Sequence, residues 1–511
     1  MTNVNRRQFV AGAVLASMVS AAGVSAAHAD EQAERRWDRE ADVVIVGAGA
    51  GGLAAAAICA AEGADVVVLE VMDSIMGSNS SLCAGMIQGC CTSVQKEAGV
   101  EDSVDEYDKL LEALGEGAEK PELRRLFAEN CGETIDWLIA QGIAFDPANL
   151  GTTGTMGKFY TDVTPEVPRM HVVSSWSGAE ITQTLADAAA ADGAEFLFST
   201  EATRLIVEGG AVVGVEAVDA DGNPIALKAN AAVLMNSGGF SRNKEVLQSL
   251  MTPVLPDLFH DRPLLASYGS AYQKGTGTLM CMAAGAGIHS PFLAYQFAPG
   301  VAANPDTNSG GFIGTPGIYV NLGGERFMNE SRNAATPERQ MGQIWRQEQG
   351  YGWALWDQTG VDEAPVHYIS QDFSVEVDAG YMFRADTIEG LAEQIGVDPQ
   401  VLAETVATYN EGVAAGTDAF DRTDGTALET APYYAGRLIG VSPDTAGGVT
   451  VNTDLQVVDA LGEVIPHLYA VGNMVGGFKG KVCVGCGQAI GWSYTSGRLA
   501  AKTIIEQELG A

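Results

Sequence analysis

The sequence predicts an α/β chain whose parallel-sheet core is visited twice, with a small antiparallel meander and a mixed α+β segment between the visits. Three observations predict it. An apolar run, Asp42-Val-Val-Ile-Val46, meets a glycine cluster, an alanine-rich stretch and a second apolar run at Asp65-Val-Val-Val-Leu69. Short β-type runs follow, broken by Gly209-Gly210 and Asp221-Gly-Asn223. Much later Leu468-Tyr-Ala-Val-Gly472 returns to strand character and leads into a C-terminal helix.

The first unit carries the strongest signal. Gly47-Ala48-Gly49-Ala-Gly-Gly52 sits directly between strand and helix, and Glu70 closes the second strand, 23 residues after Gly47. This Rossmann-type arrangement has a physical reading. Gly47 makes the turn, Gly49 lets a pyrophosphate reach the backbone, and Gly52 lets helix and strand approach. The helix N-terminus adds partial positive charge. Glu70 can accept from both ribose hydroxyls and would repel a 2′-phosphate. The motif is a dinucleotide site.

An amphipathic helix is expected at Ala179–Ala191 and a strand at Glu195–Phe198. Thr203–Val207, Val212–Val218 and Ile225–Lys228 read as the antiparallel meander, before a buried strand at Ala231–Met235. From Asn321 to Leu438 the pattern turns helical, with one helix at Asp398–Ala414. There is no internal repeat and no low-complexity linker.

The chain has 511 residues, long enough for two or three packed units, and its hydrophobic content of 46% supports a large core. Its 65 acidic against 29 basic residues give a net charge of -36, which repels phosphate backbones and excludes nucleic acid as a partner. The chain opens with Asn5-Arg6-Arg7-Gln8-Phe9, an apolar stretch and Ala27-His28-Ala29. Paired arginines and an Ala-x-Ala site make residues 1–29 a twin-arginine export signal, cleaved after Ala29. Losing its two arginines takes the charge from -36 to -38. The expected location is outside the cytoplasm, on the periplasmic or cell-surface side, with no transmembrane anchor in the mature chain.

The eight cysteines are scattered, and no Cys-x-x-Cys-His attaches a c-type haem. Cys483-Val-Gly-Cys486 is a lone Cys-x-x-Cys, so thiols, a disulfide or iron–sulfur ligands stay open, with a packed loop the simplest reading. The six histidines show no metal spacing. His367 and His467 read as structural, and no metal site is expected.

Further stretches extend the first motif. They are Gly77-Ser78-Asn79-Ser80-Ser81-Leu-Cys-Ala84-Gly85, Val233-Leu-Met-Asn-Ser237-Gly238-Gly-Phe240 and Gly275-Thr-Gly277. Gly324-Glu-Arg-Phe-Met-Asn-Glu330, Gly447-Gly-Val-Thr-Val451, Gly472-Asn473 and Gly487-Gln-Ala489-Ile490-Gly491 follow. In this order they resemble the flavoprotein family of FAD-dependent fumarate reductases and 3-ketosteroid dehydrogenases, over nearly the whole mature chain. The resemblance implies FAD, held at Gly47, Ala48, Gly49, Gly52, Glu70, Ser78, Asn79, Ser80, Ser81, Ala84, Gly85, Ala202, Ser237, Gly238, Gly277, Asn473, Gly487, Ala489 and Ile490. It also implies a division into an FAD-binding domain at 37–320 and 440–511 and a mobile capping domain at 321–439.

The family's catalytic positions are altered. Fumarate reductases grip carboxylates with arginines and a histidine. Where the family shows His-Thr-Met-Gly-Gly, this chain has Asp444-Thr-Ala-Gly447-Gly448. Where it shows Asn-Arg-Leu-Gly-Gly-Asn-Ala, this chain has Cys483-Val484-Gly-Cys486-Gly487-Gln-Ala489, so the carboxylate-binding arginine becomes Val484. Gln358-Thr-Gly-Val361, after the strand Trp353–Asp357, lacks the proton-donating arginine sought there. The ketosteroid pattern Tyr-Pro-Gly-x-Gly-x-x-Ile-Gly matches the same loop in its glycines but puts Cys483 at the tyrosine.

The candidate catalytic set is therefore Glu330, Arg332, Tyr268 and the backbone amide near Gly487, which can polarise a carbonyl. Glu330 and Arg332 fit a proton relay or a surface ion pair. Tyr268, Tyr272 and Tyr295 fit proton donation or pocket lining. With no haem of its own, such a protein takes electrons from a separate cytochrome c or a membrane quinol-linked donor. Loss of the dicarboxylate clamp points to a neutral, apolar, unsaturated small molecule whose activated carbon–carbon double bond is reduced. A ketone-adjacent dehydrogenase and a lapsed flavin electron carrier are the rival readings.

Overall fold

The computed structural model describes residues 35–151, 167–243, 245–247, 265–267, 270–289, 298–304, 309–312, 317–331, 337–363, 372–442, 445–480 and 486–510. Within them the chain builds two large sheets. The first has eight strands, and its central path runs Gln456–Val458, Val464–Ala470, Pro224–Met235, Arg39–Val46, Val66–Leu69 and Glu195–Leu197. All neighbours on that path are parallel except the outermost pair, Gln456–Val458 with Val464–Ala470.

Register decides where the site lies. Val46 stands opposite Leu69 on one side and Met235 on the other, and Met235 stands opposite Ala470. Four strands thus end on one line, and the residues just beyond them form one rim. In open α/β sheets ligands bind outside the carboxyl ends of the strands.

The core explains why the strands are continuous apolar runs. Val43, Val44 and Ile45 are fully buried, as are Val66, Val67 and Val68, because helices cover the sheet. Each such side chain contributes about 1.5–3 kcal/mol by leaving water. The helix Ala50–Ala61 follows the glycine cluster and packs against Gly178–Ala191 and Gln488–Thr503. Its alanines permit close approach: Ala54, Ala55 and Ala56 are all fully buried.

Two expectations need correction. Ile225–Lys228 and Ala231–Met235 are one twelve-residue strand, Pro224–Met235. It pairs in parallel with Arg39–Val46 along most of its length and antiparallel with Ala211–Val218 over its first half. The exposed polar Asn230 sits where the register slips between Ala41 and Val43, so the break in the apolar pattern marks a bulge rather than an end. The stretch 321–438, expected to be mostly helical around one strand at Trp353–Asp357, carries that strand as Gly352–Asp357 and two more, Met382–Ala385 and Tyr433–Ser442.

Those strands belong to the second sheet, of seven strands, which also recruits Leu265–Ser267, Ala298–Asn304, Ser309–Phe312 and Ile318–Val320 from earlier in the chain. Its central strand, Tyr433–Ser442, pairs with Gly352–Asp357, Met382–Ala385, Ala298–Asn304 and Leu265–Ser267. Gly352–Asp357 is buried on both faces: Trp353 and Leu355 enter one apolar cluster, Ala354 and Trp356 the other. The expected helix Asp398–Ala414 is Pro399–Ala415, with the Asp398 carboxylate capping Gln400 N and Val401 N. Among the described residues no helix is long and apolar enough to cross a membrane.

Candidate active site

The common line of strand ends opens into a solvent-open cavity. Val46 and Gly47 border it from the first strand, Leu69 and Glu70 from the second, Asn236, Ser237 and Gly238 from the third. Asn473 joins from the turn after Val464–Ala470, and Ser78, Asn79, Ser80, Ala202 and Gly277 complete the expected set within it.

Glu70 is buried, and its carboxylate accepts from Ala48 N at 2.8 Å and Met72 N at 3.0 Å. Burial raises its pKa, partly offset by those backbone donors. Two amides leave lone pairs on both oxygens for ribose hydroxyls. The helix Ala50–Ala61 starts at Gly49, which has no side chain to cap it, and has no acid in its first turn, so its amide end faces the cavity. Ala50 N is held by Ser80 Oγ at 2.9 Å. Gly52 permits the close crossing the fingerprint requires: a Cβ there would lie 2.2 Å from Gly47 O. Gly238, in the left-handed region (φ 77), leaves open space where a side chain would project. A glycine cradle, a helix N-terminus and a buried ribose acceptor on one rim fit a dinucleotide such as FAD.

Other expected residues serve the rim from behind. Ala48 is buried and reaches the site through its amide. Ser81 Oγ donates to Ile75 O at 2.7 Å and meets Thr182 Oγ1 at 2.9 Å, fixing the short helix Asn79–Leu82. Gly85 packs against Val173 and Ser177, beside Ala84. Gly487, Ala489 and Ile490 stand at the N-terminus of the helix Gln488–Thr503, away from the cavity rim.

That helix end is pinned by a strand the sequence analysis did not single out. Gly487 has φ 92, and a Cβ there would come within 2.9 Å of Gln88 N and Met86 O. Gln88 N donates to Gly487 O at 3.1 Å, and Gln88 Nε2 donates to Cys486 O at 3.2 Å. Tyr107, fully buried, donates its hydroxyl to Gln88 Oε1, and the Arg169 guanidinium lies 4.8 Å from the Tyr107 ring centre. Because a trans peptide points its N–H opposite its carbonyl, the grip on Cys486 O turns the Gly487 N–H away from Gln88.

Glu330 is not at the surface. Its carboxylate accepts from Tyr319 N at 3.0 Å, from Arg326 Nε at 2.9 Å and Nη2 at 2.7 Å, and from Arg422 Nη1 at 3.0 Å. Arg326 also pairs with Asp418 at 2.7 Å. The surface ion pair expected as one alternative is therefore a buried network. Arg332, Tyr268, Tyr295, His367, Asp444, Cys483 and Val484 lie outside the described residues. Tyr272 borders the cavity and is exposed, while His467 bonds Glu508 at 2.9 Å near the C-terminus.

Several cavity residues escaped the sequence reading. Asn236, whose Nδ2 donates to Gly47 O at 3.1 Å, sits inside a quoted motif but carried no pattern of its own. Thr276 likewise sits inside a quoted motif, while Thr200, Ser270, Lys274 and Ser493 are brought in by topology alone.

This geometry defines a dinucleotide-binding protein, and its likeness to known flavoproteins makes it an FAD-dependent oxidoreductase. Residues 42–490 match the FAD binding domain family, and the chain belongs to it. It is 28% identical over 477 residues to a fumarate reductase (cytochrome) of Shewanella frigidimarina, covering 90% of this chain and 76% of the relative. It is 26% identical over 514 residues to the digoxin reductase of Eggerthella lenta, covering 94% and 89%. Among solved structures, the open conformation of a flavocytochrome c3 fumarate reductase superposes with a TM-score of 0.74 at 26% identity, covering 93% of this chain and 79% of that one.

Proposed function

We propose that the protein is an exported FAD-dependent reductase of an activated carbon–carbon double bond in a neutral, apolar unsaturated carbonyl compound or lactone. Fumarate and digoxin both offer a double bond conjugated to a carbonyl, one as a dianion and the other as an uncharged lactone. What supports the neutral choice is the resemblance, which sets Asp444 and Val484 at the positions where fumarate reductases grip carboxylate with histidine and arginine. An acid and a valine there disfavour a dicarboxylate and suit an apolar ring.

When bound, FAD supplies the hydride chemistry such a reduction needs. The chain's own part is to bind, polarise and protonate. Gly487 N–H, held in direction by Gln88, is read as the donor to the substrate carbonyl. Arg332 or Tyr268 is read as the proton source, with Glu330 fixing the segment that leads to Arg332. The unit around the second sheet, expected at 321–439 but drawing strands from 265–320 as well, is read as the cap that excludes water, over an FAD-binding domain formed by the rest of 37–320 and 440–511. Residues 1–29 are read as the export signal, and a separate cytochrome c or membrane quinol-linked protein as the electron donor.

The test is anaerobic. The flavin is reduced with viologen and its reoxidation followed as fumarate, cinnamates, enone steroids and a steroid butenolide are added in turn. Rapid reoxidation by an uncharged enone or lactone, with fumarate inert, is the expected result. Reoxidation by fumarate would remove the neutral-substrate reading. Silence across the panel would move the assignment to a dehydrogenase or an electron carrier.

A further inference from the structure

The FAD pyrophosphate carries two negative charges, and the chain that must hold it carries -36. Two helices of two turns or more bring N-termini to the cavity: Ala50–Ala61, beginning at Gly49, and Thr276–Ala283, beginning at Gly275; the one-turn helix Asn79–Leu82 also starts there, but its end is capped by Ser78. Neither of the two longer helices is capped by the side chain of its own N-cap residue, a glycine in both, and neither has an acid in its first turn. Each end contributes about half a positive charge, so together they leave about one negative charge of the pyrophosphate unbalanced. Glu70 and Glu201, which also border the cavity, deepen the deficit.

Among the described cavity residues one side chain is cationic, Lys274. It sits on a segment, residues 270–275, whose backbone is tied down on both sides. Ser270 N donates to Asn79 Oδ1, beside the Ser80 that holds the amide end of Ala50–Ala61. Arg242 N donates to Gln273 O at 2.9 Å, Asn243 Nδ2 to Lys274 O at 2.8 Å, and Gly275 N to Gly239 O at 3.2 Å. Gly275 has φ 72, and a Cβ there would come within 2.7 Å of Phe240, so the turn that presents Lys274 needs glycine. The mount is fixed while the lysine side chain is exposed, its Nζ resting 5.0 Å from the centre of the Tyr272 ring. It pairs with no carboxylate among the described residues.

We propose that Lys274 is the counter-cation of the FAD pyrophosphate, carried on a strap, residues 270–275, that crosses the dinucleotide cavity between Asn79 and the helix Thr276–Ala283. The glycine fingerprint does not require a lysine here. Its one charge matches the deficit left by the two helix ends. The proposal rests on the cofactor alone and is independent of the substrate.

The experiment titrates flavin-stripped full-length protein with FAD, riboflavin, ADP and adenosine, in wild type, Lys274→Met and Lys274→Arg. Loss of a charge-assisted contact at an exposed site predicts about ten-fold weaker FAD and ADP binding in Lys274→Met. Riboflavin and adenosine, which lack the pyrophosphate, should bind unchanged, and Lys274→Arg should recover most of the loss. Raising the salt concentration should weaken FAD binding less in Lys274→Met than in wild type. Thermal unfolding of the stripped proteins separates a folding defect, because an exposed lysine should leave the midpoint unchanged. Equal losses for ADP and adenosine, or no loss for ADP, would overturn the assignment.

Discussion

Glu70 and Glu330 are both buried carboxylates, and they are held in opposite ways. Glu70 takes two backbone amides and keeps lone pairs toward a cavity. Glu330 takes four donors, from Tyr319, Arg326 and Arg422, and is not among the residues lining the dinucleotide cavity. The first half of the molecule leaves polar groups to a ligand; the second turns them upon one another. The difference teaches how to tell a binding carboxylate from a fastening one. Depth of burial does not separate them, but the number of donors already in place does.

The largest effect should come from breaking the fastened group. Glu330→Ala leaves Arg326 and Arg422 buried with their principal acceptor gone, and removal of one partner from such a pair typically costs about 3–5 kcal/mol. The midpoint of thermal or urea unfolding should fall accordingly, with loss of near-UV signal from Trp353 and Trp356. Activity lost with stability intact would instead make Glu330 a working proton relay, and the comparison would fail.

A third buried ionisable group sharpens the contrast through pH. His171 is fully buried, its Nδ1 bonded to Arg169 O at 2.9 Å and its Nε2 to Thr92 Oγ1 at 2.8 Å. Burial lowers its pKa from 6.5 to about 4, so it is neutral in the fold. Between pH 6.5 and 4 the unfolded chain binds the extra proton, so stability is full above that window and falls as pH drops through it. At 1.36 kcal/mol per unit the loss approaches about 3 kcal/mol by pH 4. Urea unfolding of wild type and His171→Gln at pH 7 and pH 5 checks this, since the variant should lose that part of the pH dependence. Identical slopes would show that His171 does not titrate as a buried neutral group.

Gly52→Ala comes next. Its Cβ would meet Gly47 O at 2.2 Å, and the helix must shift to admit it, at a cost of about 1–3 kcal/mol. Because the same helix end faces the cavity, the purified variant should also carry less than one flavin per chain, read from its absorbance. Full flavin occupancy and an unchanged midpoint would show that helix and strand are less closely locked than the geometry indicates.

These regions also differ in how legible they were. The dinucleotide half could be read because its determinants are close in sequence: Gly47, Gly49, Gly52 and Glu70 span two strands and one helix. Asn236 and Lys274 reach the same cavity from positions far along the chain, and no local spacing marks them. Gln88 is similar, since its partner Cys486 is 398 residues away. The Glu330 network was half visible, for the Gly-Glu-Arg-Phe-Met-Asn-Glu stretch holds Arg326 and Glu330, but among the described residues Asp418 and Arg422 lie beyond two strands and five α-helices. The bulged strand at Asn230 was misread because a polar residue interrupts an apolar pattern whether the strand stops or merely slips.

The smallest expected change in stability is also the most discriminating. Glu70→Gln preserves size and can still accept from Ala48 N or Met72 N through its amide oxygen, so unfolding should move by less than about 1 kcal/mol. Relief of a buried charge offsets the lost hydrogen bond, since burial already raises the Glu70 pKa. The ribose contact, however, weakens from an ionic to a neutral acceptor, and FAD affinity should fall about ten-fold. Titration of flavin-stripped protein with FAD and with riboflavin separates the two effects, because riboflavin has no ribose to lose. A carboxylate whose neutralisation leaves the fold intact but loosens the nucleotide was binding. One whose neutralisation unfolds the chain, as expected of Glu330, was fastening.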